Sequence, residues 1–125
     1  MRPDLGVRYP LPAVENRNLK RYVHFSPDAV NRETVFETGR MWTQVLCFDR
    51  NQTIGPMADQ DSDAVFTIVA GEAVFLVDGR RKRLEQWGTI LVEAGEQVVV
   101  TNASADPLVL LVVAAPPPAP HAVTG

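Results

Sequence analysis

The chain has 125 residues, 46% hydrophobic and 22% charged, the balance of one globular domain long enough to bury a core without staples. A net charge of −3 and a pI near 5.3 exclude the basic surplus that nucleic acid or an anionic membrane would select. The single cysteine, Cys47, excludes an intramolecular disulfide, and the longest apolar run, Leu108 to Ala115, is too short to span a bilayer.

Residues 1–20 carry Pro3, Pro10 and Pro12 and show no period, so they are expected to form an irregular arm lying on the body. Nothing there resembles the apolar run of a signal peptide. Arg21 to Phe25 alternates as a strand would. Ser26-Pro27-Asp28 then sets up a helical turn over Pro27 to Asn31, with Ser26 as cap and Pro27 first. Thr34 to Thr38 and Met41 to Phe48 are rich in β-branched and aromatic residues, with a turn signal at Gly39-Arg40.

Asp49 to Gln52 reads as a turn, and Thr53 to Ser62 as irregular, broken by Gly55-Pro56. Val65 to Val69 and Ala73 to Val77 are strands around Gly71-Glu72. Asp78-Gly79 then predicts a tight hairpin, because a primed turn needs positive φ at both central residues. Arg81 to Gln86, Thr89 to Val92, Gln97 to Thr101 and Leu108 to Val113 complete the series. Pro116 onward is too proline-rich for a central strand and is read as a flexible tail. Many short strands with no amphipathic helix predict a β-sandwich or barrel. Leu108 to Val113 is apolar at every position, which predicts cover on both faces; a homodimer would supply it.

From Asn51 to Pro118 the chain resembles the cupin superfamily of small double-stranded β-helix barrels. Gly88, Gly95 and Asn102 stand where the second motif of that family has its glycines and asparagine. Phe66 to Gly71 and Val77-Asp78-Gly79 match the end of the first. The resemblance implies an all-β jelly-roll barrel, with an arm at 1–35, the barrel at 36–115 and the tail at 116–125. Cupins usually place a metal on two histidines, a glutamate and a later histidine. Here those positions fall on Met57, Asp59, Ala64 and Val98, and the leading glycine on Asn51, which tolerates a left-handed backbone. A shorter spacer would move the first two to Ala58 and Gln60. Neither register supplies the three or four N, O or S ligands of a first-row metal, so neither metal nor cofactor is expected.

The expected pocket comprises Met57, Asp59, Ala64, Phe66 and Val98, with Cys47 as a further lining residue. Its low polarity suits an apolar or aromatic small molecule. Asp59 could orient a polar ligand or act as a base. Asp59, Asp61 and Asp63 form a D-x-D-x-D run that fails the calcium-loop pattern, since Ala64 and Ala70 replace its glycine and glutamate. The only histidines, His24 and His121, lie outside the core strands. Arg80 to Arg83 is a basic cluster that would be solvated and blunt an edge. Trp42 and Trp87 read as core or interface anchors. The expectation is a cytoplasmic, metal-free, small-molecule-binding cupin. Alternatives are a metal-independent isomerase, cyclase or lyase acting through Asp59 or His24, and a dioxygenase with carboxylate ligands.

Overall fold

The computed structural model describes residues 14–118. Among these residues nine antiparallel strands follow a 3-10 turn at Leu19–Tyr22: β1 (Asn31–Glu37), β2 (Trp42–Phe48), β3 (Thr53–Met57), β4 (Asp63–Ala70), β5 (Ala73–Val77), β6 (Arg80–Leu84), β7 (Thr89–Val92), β8 (Val98–Thr101) and β9 (Leu108–Ala115). One sheet has the order β1-β2-β9-β4-β7 and the other β3-β8-β5-β6. The two enclose a continuous apolar core of Leu46, Phe48, Ile54, Phe66, Ile68, Phe75, Val100, Leu108, Leu110 and neighbours. At its centre the Phe66 and Phe75 rings meet edge to face at 5.5 Å and 70°. This is the expected all-β double-stranded β-helix.

The turns explain why these strands pair as they do. Asp78 and Gly79 take φ of 47° and 82°, the left-handed pair of a two-residue hairpin, and β5 and β6 then run in register without a shift. Asn51 takes φ 65°, the conformation expected of it. Asn102 is fully buried. Its amide donates to the carbonyls of Phe48, Asp49 and Asp106, and its Oδ1 accepts from the Ser104 backbone N–H and hydroxyl.

The structure departs from the sequence expectations at several places. Thr53–Met57 is a strand despite Gly55-Pro56. It lies at a sheet edge, where a missing N–H costs nothing, and the register shift between Ile54 and Met57 absorbs the irregular pair. Arg21 to Phe25 is not a strand; a 3-10 turn capped by the Asn18 side chain takes its first part. Pro27 to Ala29 forms bends rather than a helical turn and Asn31 already opens β1, although Ser26 Oγ does accept from the Asp28 N–H at 3.2 Å. The barrel therefore begins at Asn31, inside the span assigned to the arm. In the tail, Ser62 Oγ donates to the Pro116 carbonyl at 2.6 Å, so its first residue is tied to the barrel; residues 119–125 lie outside the described residues.

A second apolar cluster lies on the outer face of the larger sheet. Val35, Val45, Cys47 and Val109 form it, with Leu19, Tyr22 and Val23 of the arm packed over them. Arg17 adds its guanidinium over the Phe36 ring at 5.1 Å. Part of the double-sided cover that β9 requires thus comes from the chain itself.

Candidate functional site

Strand register assembles one end of the barrel interior from residues far apart in sequence. Across the larger sheet, Trp42 faces Ala114, Ala114 faces Ala64, and Ala64 faces Val92. Across the smaller sheet, Met57 faces Val98, Val98 faces Val77, and Val77 faces Arg80. The apolar members of these rows other than Ala114 belong to or pack on the interior core, and Ala114 is itself buried. Two alanines at the middle of the first row keep that wall low.

Two loops rim this end. The Asp59 carbonyl accepts from the Gly95 N–H at 2.8 Å, and the Asp59 carboxylate accepts from the Asp61 N–H at 2.8 Å. The Asp63 carboxylate takes the Ala94 N–H at 2.8 Å, while Glu96 closes its own loop on the Glu93 N–H at 2.7 Å. Gly95, at φ 90°, is the residue that lets the second loop turn. On the other side Arg80 stands 3.7 Å from Glu96. This end is thus an apolar floor with a polar rim.

Met57, Ala64, Phe66 and Val98 are brought together in the interior. Met57 is the inward residue of its segment, while Ala58 and Gln60 are exposed and Asp59 is half-buried, which places the longer spacing of the motif on the inward side. Cys47 is not with them. It is fully buried, but on the opposite face of β2, where period-two alternation turns Leu46 and Phe48 inward and Val45 and Cys47 outward. Its thiol donates to the Tyr22 carbonyl at 3.9 Å. Burial raises its pKa above the ordinary 9.0, aided by the nearby Glu33 carboxylate and opposed by a backbone hydrogen bond from His24.

His24 is also outside the barrel. It is exposed, with Nε2 3.0 Å from the Arg21 carbonyl and 3.7 Å from Glu33, so it cannot reach a molecule in the interior. His121 lies outside the described residues. Among the described residues no group of three or more His, Cys, Asp or Glu side chains is arranged to hold a metal ion. The donors at the aligned positions, a thioether, one carboxylate and two hydrocarbon side chains, do not fit a transition metal. Sequence reasoning missed Trp42, Val77, Arg80 and Ala114 as members of the site. Period two along each strand puts Trp42, Val77 and Ala114 inward, but only the pairing of strands places them, with the exposed Arg80, at the same end.

A solved structure of TT1209 from Thermus thermophilus is 30% identical to this chain over 84% of it and the whole of that chain, with a TM-score of 0.80. An RmlC-like cupin from Desulfovibrio desulfuricans superposes with a TM-score of 0.76 at 19% identity, over 84% of this chain and 99% of its own. The chain has the cupin fold. An uncharacterized Klebsiella pneumoniae protein with a double-stranded β-helix domain is similar to this chain in the same way, at 21% identity, 83% and 91% coverage and a TM-score of 0.77. No family model and no curated protein matches the sequence. The three-dimensional likeness therefore carries the assignment of the fold.

Proposed function

We propose that this cupin-fold protein binds a small apolar or aromatic molecule at the barrel end bounded by Trp42, Met57, Ala64 and Val98, with no transition metal in the site. One observation carries the reading. The positions at which cupins usually hold a metal present Met57, Ala64 and Val98 to the interior core, so what they offer a ligand is hydrocarbon and thioether surface. Burying apolar ligand surface there is favourable by about 25 cal/mol per Å². The half-buried Asp59 at the rim supplies the polar contact that fixes orientation.

Trp42 and Trp87 are the chain's two tryptophans, so a Trp87→Phe variant leaves Trp42 as the sole indole reporter, at the site itself. Titration with naphthalene should change its emission saturably. Ala64→Leu, which raises the low wall, should weaken that binding by roughly tenfold, the effect of about 1.4 kcal/mol. A linear, non-saturating response, or equal affinity in Ala64→Leu, would sink the assignment of the site. Elemental analysis of protein purified without a histidine tag tests the other half: one metal ion per chain would refute the metal-free reading.

A further inference from the structure

Strand β6 ends the order β3-β8-β5-β6, so one of its sides has no neighbouring strand. The hairpin turn at Asp78-Gly79 makes Val77 and Arg80 the flanking pair, and the register continues Leu76 with Arg81, Phe75 with Lys82 and Val74 with Arg83. In such a hairpin the flanking pair is hydrogen-bonded and bonded pairs alternate with unbonded ones. The backbone N–H and C=O groups of Arg81 and Arg83 therefore point away from β5. Among the described residues no other backbone group takes them.

All four basic side chains of this edge are exposed. Arg83 meets Glu72 at 2.8 Å and Arg80 lies 3.7 Å from Glu96; Arg81 and Lys82 have no ion pair among the described residues. Just past the strand, Trp87 is 72% exposed at φ 75°, a conformation that bulky residues rarely adopt and that marks a constrained site. Its turn is held rigid: the Trp87 N–H donates to the Ile68 carbonyl and the Gly88 N–H to the Glu85 carbonyl, both at 2.8 Å. The Gln86 side chain adds a bond to the Val69 carbonyl at 3.0 Å. Core packing does not account for an indole presented in this way.

Unpaired strand backbone and positive charge thus share the edge of β6, and a fixed exposed aromatic follows in the turn just after the strand ends at Leu84. A second copy of the same edge would set arginine opposite arginine, which is unfavourable. Nucleic acid would use the charge but not the strand-spaced backbone groups. An extended acidic chain uses all three. We propose that β6 and Trp87 form a docking edge for an acidic, extended segment of a partner protein, which adds to the smaller sheet as its next strand. Acidic residues at alternate positions then face Arg81 and Arg83 on one side of the added strand, and an apolar residue beyond them rests on the indole.

The test is fluorescence anisotropy of the full chain with a labelled ten-residue peptide alternating glutamate and valine and ending in leucine. Binding should weaken as salt rises. It should fall at least roughly tenfold in Arg81→Glu and at least roughly tenfold when alternate peptide amides are N-methylated, since strand addition needs those N–H groups. Trp87→Gly carries a distinctive double signature: it should weaken the peptide while raising the melting temperature, because glycine relieves the backbone strain. The proposal is overturned by no binding, by equal binding of the N-methylated peptide, or by tighter binding of a single-stranded DNA oligonucleotide. Self-association that Arg81→Glu abolishes would give the edge to a second copy and overturn it as well.

Discussion

Asn102 shows how much one polar side chain can hold. Fully buried, it ties the end of β2, the turn before β3 and the loop before β9 through five hydrogen bonds. Replacing it with alanine leaves three carbonyls without that donor, at roughly 1 kcal/mol or more each. Asn102→Ala should therefore lose about 3 kcal/mol in urea unfolding, or on the order of 10 °C in melting temperature. Cys47 makes a pH prediction. Its folded pKa lies above the ordinary 9.0 because burial disfavours the thiolate. The unfolded state thus gives up its proton first as pH rises. The stability tied to this group is complete below pH 9.0 and is lost on going up through the folded value. Urea midpoints measured from neutral pH to about pH 10.5 should fall at the alkaline end. The fall should be shallower in Cys47→Ala, whose separate packing loss is independent of pH. The sequence expectation put Cys47 in the pocket, whereas the structure buries it on the outer face beneath the arm. The sequence could not say which face of the sheet bears it, because Val45 to Phe48 is apolar on both.

Among the elements, the two glycines that bound β5 are instructive. Gly71 and Gly79 have nearly the same φ, 85° and 82°. A Cβ on Gly79 meets open space, whereas one on Gly71 runs into the Pro107 carbonyl and the Leu108 backbone. Gly79→Ala should cost only the left-handed backbone, about 1–2 kcal/mol. Gly71→Ala should cost clearly more, about 3–4 kcal/mol, because backbone on β9 must give way. Paired denaturation curves decide this, and equal losses would show that the close approach is absent. Both glycines were legible as turn residues, since hairpin chemistry is local. That Gly71 touches the entry to β9 was not legible, because no local signal reports a contact between residues so far apart in sequence. The same limit hid β3. Gly55-Pro56 reads locally as a breaker, and only its position at a sheet edge makes Thr53–Met57 a strand.

At the scale of the whole molecule, the barrel has two surfaces with separate proposed roles, the apolar end for a small molecule and the basic edge for an acidic strand. Each has its own test, and neither test depends on the other's outcome. A ligand held by the folded state alone adds about 2.7 kcal/mol of stability at a hundred times its dissociation constant, so occupancy of the apolar end should also appear as a rise in melting temperature. The sequence by itself determined the all-β fold class, the hairpin at Asp78-Gly79 and the left-handed Asn51. These follow from residue chemistry and from spacings of a few residues. Only the tertiary structure decided that Trp42, Ala114, Val77 and Arg80 share an end with Met57, Ala64 and Val98, that His24 and Cys47 belong to the outer face, and that the arm covers part of β9. Strand pairing is non-local: it is settled by the register of whole strands, whose energy lies in the packed core and not in any one stretch of chain.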